Sequence, residues 1–179
     1  MLLADVKTAR GAIDPPFPAG TPAPAIALPT LDHGARSLAD AAGRVVVVHF
    51  FATWCEPCRD EMAGLSRLSR RMEGRRFAIL AIDVGEVEVR VRRFFEAAPV
   101  PFPILLDESR AAMKAWKVDA FPSTFVLDGT HAIRLFAAGP VDWDDPAVDR
   151  ILGRLMDGAA PASNDVLPPE HTETGSQPQ

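Results

Sequence analysis

From Val45 to Phe51 the chain runs Val-Val-Val-Val-His-Phe-Phe, an almost unbroken apolar stretch rich in β-branched side chains. Such a run predicts a strand buried on both faces, as in the middle of a covered sheet. A second run, Phe77-Ala-Ile-Leu-Ala-Ile82, predicts another. Between them the period changes: Met62, Leu65, Leu68 and Met72 recur at helical spacing and predict a helix over 59–72. Further along, the pattern gives a helix over 86–97 that stops before Pro99. It then gives a short strand over 102–106, with Pro103 at an edge or start, and a helix over 109–116. Segments 123–127 and 132–136, parted by Asp128-Gly129, predict a hairpin. Val148, Ile151, Leu152 and Leu155 mark a closing helix over 145–156, with Pro146 in the first turn, where a missing N–H does no harm. Ahead of all this, 25–28 and 37–38, joined through Asp32-His33-Gly34, predict a small hairpin. Strand–helix alternation closing on a hairpin and a helix predicts an α/β fold, a central mixed sheet flanked by helices.

The chain ends break this pattern. Pro15, Pro16, Pro18, Pro22 and Pro24 crowd the start, and 1–19 is expected to be an extended or disordered arm. Residues 159–179 are polar and proline-rich, too poor in apolar area to offset ordering entropy, and are expected to form a disordered tail. One domain over 20–158 remains, and 179 residues with 47% hydrophobic content suit a single core. A net charge of −5 gives no reason to expect a nucleic-acid partner. The arginines at 67, 70 and 71 and at 90, 92 and 93 read as solvated helix faces. As written, Met1-Leu2-Leu3-Ala4 meets Asp5 and Lys7 at once, so the apolar core of roughly 7–15 residues that a signal peptide needs is not there. No segment reaches the roughly 18–20 apolar residues of a membrane span.

Candidate chemistry centres on the two cysteines, Cys55 and Cys58, at the junction of the first buried strand and its helix. Free backbone N–H groups and the positive end of a helix dipole stabilise a thiolate there. A structural zinc site would need a second ligand pair, and His33, His49, His131 and His171 show no such spacing. Haem attachment would need His directly after Cys58, where Arg59 stands. Trp54 before the pair and Pro57 inside it argue against two inert core cysteines. The spacing predicts a thiol–disulfide redox site.

A longer series of segments supports that reading. They are Gly20-Thr-Pro-Ala-Pro-Ala-Ile-Ala-Leu-Pro, Ser37-Leu-Ala-Asp, Gly43-Arg-Val-Val-Val-Val, and Phe51-Ala-Thr-Trp-Cys-Glu-Pro-Cys-Arg-Asp-Glu-Met. Asp83-Val-Gly-Glu, Phe102-Pro-Ile-Leu-Leu-Asp and Ala120-Phe-Pro-Ser-Thr-Phe-Val-Leu-Asp-Gly follow in order. Over roughly 20–158 the chain resembles the thioredoxin-like TlpA/ResA group of extracytoplasmic thiol–disulfide oxidoreductases. The resemblance implies a thioredoxin fold with an added N-terminal β-hairpin and a central insertion. It implies protein disulfide substrates, re-reduction by a membrane dithiol donor, and no cofactor beyond a redox-active Cys55–Cys58 disulfide. Apocytochrome c cysteines or a copper-site protein are the substrates it suggests. The likeness to the exported branch points to the periplasm; the missing export segment leaves the cytoplasm as the alternative. A monomer is expected, and no metal. A rival reading makes the chain a metal-handling module in which Cys55, Cys58 and His49 hold Cu(I) through soft ligands. A peroxidase reading lacks a separate peroxidatic cysteine.

Carried onto single residues, the resemblance makes Cys55 the nucleophile and Cys58 the resolving thiol. Pro122 matches the family's cis-proline, which with Phe121 would shape a substrate groove facing the pair; an ordinary trans proline is the plain alternative. Trp54, Glu56 and Pro57 complete the expected contact surface. Glu56 beside Cys55 disfavours the thiolate, which points to a reductant. Glu86 matches an acid of the ResA-like branch and could take the proton of Cys58; otherwise it is a helix-start acid. His49, six positions before Cys55, is expected beneath the helix, as a proton relay or as a satisfied core histidine. Trp116 and Trp143 read as packing, and 142–145 as a loop with a helix cap.

Overall fold

The structure, a computed structural model, describes residues 15–170. A hairpin of β1 (Ala27–Pro29) and β2 (Ala35–Ser37) precedes β3 (Val45–Phe51), α1 (Glu56–Arg71), β4 (Phe77–Val84), α2 (Glu88–Ala97) and β5 (Ile104–Asp107). After these come α3 (Ala111–Ala115), β6 (Ser123–Leu127), β7 (Ile133–Ala138) and α4 (Pro146–Met156). The sheet runs β5-β4-β3-β6-β7, parallel from β5 to β3 and antiparallel beyond, as the expected mixed sheet requires.

Alternation along β3 divides the core. Val45, Val47 and Phe51 meet Leu65 and Leu68 of α1, Val91 and Phe95 of α2, and Val148 and Leu152 of α4. Val46, Val48 and Phe50 face the other way, onto Trp116, Phe125 and the hairpin residue Ile26. A strand covered on both faces needs apolar side chains at every position, so the polar His49 within it stands out. The segment α2–β5, set between β4 and α3, is the expected central insertion, and β5 extends the sheet beside β4.

Some boundaries move for local reasons. The helix expected from 59 begins at Glu56, because Cys55 is its N-cap. The helix expected from 86 begins at Glu88, since the Glu86 carboxylate turns back to Thr53 and Val87 becomes the cap. Arg110 in the left-handed region (φ 62°) shortens the helix expected over 109–116 to α3.

The tail expected from 159 does not leave the domain there. Asp142 N–H donates to Pro168 O at 2.9 Å, Glu170 N–H donates to Pro140 O at 3.1 Å, and Leu167 is buried. Leu167, these backbone bonds and the Arg154–Asp165 ion pair hold a segment whose composition alone reads as disordered. At the other end Phe17 packs on Phe125, with ring centroids 6.4 Å apart. The expectations for 1–14 and 171–179, His171 included, lie outside the described residues. Arg67 and Arg71 are not simply solvated: both pair with Asp144, and Arg71 with Asp149, tying α1 to the start of α4. Among the described residues no helix is long and apolar enough to cross a membrane.

Candidate active site

The Cys pair sits past the C-terminal ends of parallel β3 and β4, where α/β sheets place their chemistry. The chain leaves β3 at Phe51, and Cys55 N–H closes a turn on Ala52 O at 3.1 Å. Cys55 then caps α1 with no side-chain hydrogen bond, and Pro57 occupies a first-turn position that needs no donor. The two sulfurs form a disulfide, with Cα atoms 5.3 Å apart. Cys55 keeps 7% of its surface exposed and Cys58 keeps none. Only the first thiol can therefore meet a substrate.

Exposed apolar side chains rim the pair. Trp54, 64% exposed, stands edge-on to Phe121 with centroids 6.0 Å apart. The Phe121–Pro122 peptide is cis, and the pairing of Phe50 with Ser123 sets Pro122 beside the end of β3. Glu56 and Pro57 are exposed at the start of α1. The expected residues Trp54, Glu56, Pro57, Phe121 and Pro122 thus gather round Cys55. On the opposite flank Val87 and Val89, 60% and 64% exposed, border a cavity of about 490 Å³ with Thr53, Arg90, Arg93 and Phe94. A larger groove, about 620 Å³, lies at the other end of the strands around Arg70, Arg75 and Phe77, away from the sulfurs.

Beneath α1 lies a buried polar pair. His49 Nδ1 is 2.9 Å from Thr124 Oγ1 on β6, and Nε2 is 4.0 Å from Glu61 Oε2 on α1. Burial drives the imidazole down to about 3, so it is neutral. Glu61 stands three residues after Cys58, on the same helix face. Its Oε1 accepts from Trp143 Nε1–H at 2.5 Å and Val141 N–H at 3.2 Å, while Oε2 has no donor. Burial pushes this carboxyl up to about 8, against the pull of those two bonds. Gly64 lets the Trp143 loop come this close, since a Cβ there would stand 3.3 Å from Trp143 Cβ. Trp143 is therefore more than packing. His49 does point beneath the helix, as the alternation along β3 predicts.

A second acid pair lies toward the α2 side. Glu86 is buried and accepts from Thr53 N–H at 2.5 Å and Thr53 Oγ1–H at 2.8 Å, two residues before Cys55. Gly85, in the left-handed region (φ 74°) against Arg110, makes the turn that aims it there. Asp83, at the end of β4, is within hydrogen-bond reach of Glu86 and 1% exposed, and neither of its oxygens has a well-formed hydrogen bond. Burial, then the neighbouring carboxylate, pushes Asp83 up to about 9.

Glu61, Asp83 and Thr53 were not among the residues singled out from sequence. Glu61 carried a signal, being an acid on the stripe of Cys58, Leu65 and Leu68; Asp83 carried another, continuing the inward alternation of Ile79 and Ala81. Among the described residues no three His, Cys, Asp or Glu side chains group as a metal site.

Comparison with known proteins agrees with this geometry. The AhpC/TSA family model matches residues 19–136. The thiol-disulfide oxidoreductase ResA of Geobacillus thermodenitrificans is 31% identical over 126 residues, covering 70% of this chain and 72% of that protein. The thioredoxin-like protein YneN of Bacillus subtilis is 35% identical over 118 residues, covering 64% and 68%. A thiol:disulfide interchange protein of Chlorobium tepidum superposes with a TM-score of 0.68 at 27% identity, covering 78% of this chain and 99% of that one. The chain belongs to the AhpC/TSA family, as a thioredoxin-fold thiol–disulfide oxidoreductase of the ResA kind.

Proposed function

We propose that the protein is a protein-disulfide reductase working outside the cytoplasm, re-reduced by a membrane dithiol donor and needing no cofactor beyond its own disulfide. The observation that carries this is the apolar surface about the site: exposed Trp54, edge-on to Phe121, adjoins a barely exposed Cys55, and exposed Val87 and Val89 border the cavity that Thr53 lines. A small thiol needs no such surface, whereas a protein segment does. Apocytochrome c cysteines and oxidase copper-site cysteines are the substrate classes that suit a reductant of this kind.

In the reducing direction the Cys55 thiolate attacks one substrate sulfur, forming a mixed disulfide and releasing the other substrate sulfur as a thiolate. The Cys58 thiol gives up its proton, attacks Cys55 Sγ, and expels the second substrate thiolate. Substrate gains two electrons and the enzyme ends as the Cys55–Cys58 disulfide. The Cys58 proton needs an acceptor in a buried place. Both oxygens of Glu86 are engaged by Thr53, and the His49 imidazole is a very weak base where it stands. Glu61, with an oxygen free of donors one helical turn from Cys58, suits the role, and its titration near 8 is matched to a thiol. His49 then orients that free oxygen from below.

Trapping tests the reading. A Cys58→Ser variant stalls at the mixed disulfide, so it should retain a protein partner through Cys55 that a reductant releases. Exported proteins with a cysteine pair should dominate the trapped set. Recovery of glutathione alone would overturn the protein-reductase assignment.

A further inference from the structure

We propose that Asp83 is a protonated carboxylic acid in the folded protein, and that its hydrogen bond to the Glu86 carboxylate holds the Cys55 loop in place through Thr53. Glu86 receives two hydrogen bonds from Thr53 and so behaves as the ionised acceptor. Asp83 has two buried oxygens that lack a well-formed hydrogen bond, the Glu86 N–H giving only a weak pull against the burial. Two carboxylates in contact and out of water cannot both stay ionised, so one proton resides between them. It sits on Asp83, because Thr53 already donates to both oxygens of Glu86. The chain of contacts then runs Asp83 O–H to Glu86, Glu86 to the Thr53 amide and hydroxyl, and Thr53 into Trp54-Cys55.

The surrounding charges agree. Arg90, on α2, lies 3.7 Å from Glu86 Oε1 with its side chain mostly in solvent, and supports the charge on Glu86. Glu108, after β5, adds negative charge on the Asp83 side and favours the proton there. Arg110 packs against Gly85 at the turn between the two acids. Cys55 and Cys58, at the start of α1, are uncharged while joined as a disulfide. Asp83 is thus a positioning residue, acting on Cys55 through Glu86 and Thr53. Its ionisation would put a second negative charge beside Glu86 and release the loop.

This rests on the reductase reading only for its effect on turnover; the proton itself can be observed without any substrate. Carboxyl-carbon resonances of labelled protein, followed from pH 5 to 10, should show Asp83 protonated at neutral pH and titrating near 9. The Thr53 amide resonance should move in the same step. In Asp83→Asn the amide group donates to Glu86 at every pH, so the Thr53 step should vanish while the folded spectrum remains. In Glu86→Gln the neighbouring charge is gone, and the proton affinity of Asp83 should fall at least tenfold. Glu61→Gln identifies the signal of the other raised acid. An ionised Asp83 at pH 7, or an unchanged Thr53 step in Asp83→Asn, would overturn the proposal. Should Asp83→Asn fail to fold, the wild-type titration alone decides. Loss of protein-disulfide reduction with the Asp83 titration intact would count against the reductase reading alone.

Discussion

Two buried acids flank the dithiol, and they are held in opposite ways. Glu61 has two N–H donors on one oxygen and a neutral imidazole 4.0 Å from the other. Asp83 has no well-formed donor and faces a second carboxylate. Burial raises both, yet the consequences differ. Glu61, one helical turn from Cys58, keeps an uncommitted oxygen, so its proton can come and go with the chemistry. The proton of Asp83 is committed to Glu86, so it holds geometry instead. Desolvation sets whether a carboxyl is neutral; the neighbouring donors decide what the proton is used for.

The largest expected effect would break this division if it fell on the wrong acid. Glu61→Gln should slow release from the mixed disulfide by roughly 10²–10⁴-fold, the usual worth of a positioned base. The wild-type rate should climb with pH and level off above about 8, and the variant should lack that step. Glu86→Gln keeps an oxygen for Thr53 and loses at most about one hydrogen bond, so its cost should stay near tenfold or below. Stopped-flow measurement of the resolving step on both variants separates them. A larger loss in Glu86→Gln, with the pH step gone, would hand the base role to Glu86, as its match to the family's acid first suggested.

Stability against pH gives a second, smaller test. Asp83 and Glu61 have folded values raised above their ordinary 3.8 and 4.5, so the folded state holds protons that the unfolded chain has lost. Their stabilisation is complete below those ordinary values and is lost as pH rises through about 9 and about 8. Each can contribute a slope of up to about 1.4 kcal/mol per pH unit in that window. His49 has the opposite sign: held down to about 3, its contribution is present above the ordinary 6.5 and lost as pH falls toward 3. Denaturant melts at pH 5 and pH 8 should therefore show Asp83→Asn gaining on the wild type as pH rises. A gap that does not change with pH would mean that Asp83 is ionised in both states.

The sequence made one of these regions far more legible than the other. Cys55, Cys58, Trp54 and Pro57 are close along the chain, and their helix-start setting follows from the change of period at 51–59. Pro122 and Glu86 came only with the family resemblance, since nothing local ties them to the sulfurs. The pairing His49–Glu61 depends on how β3 and α1 pack, which hydrophobic pattern does not fix to one residue, and Asp83–Glu86 on the left-handed turn at Gly85. The order of 159–170 is not legible in the sequence, because one buried leucine, a few backbone bonds and one ion pair leave almost no compositional trace.

A fourth acid near the dithiol, Glu56, sharpens the contrast from the solvent side. It follows Cys55 directly and is exposed, so water and salt screen its field. The charge still opposes a thiolate on Cys55, which disfavours the reduced form and lowers the potential. Glu56→Gln should therefore raise the potential, by on the order of 10 mV, since exposed charge pairs are worth little. A glutathione titration measures both the wild-type value and the shift. The wild type should lie nearer about −270 mV, the thioredoxin value, than about −120 mV, the DsbA value. A wild-type potential near the upper figure would make the protein an oxidant and remove the reductase direction. A shift well above 30 mV on losing Glu56 would show that the rim is far less solvated than its exposure indicates, and the line between an exposed acid and the two buried ones would no longer hold.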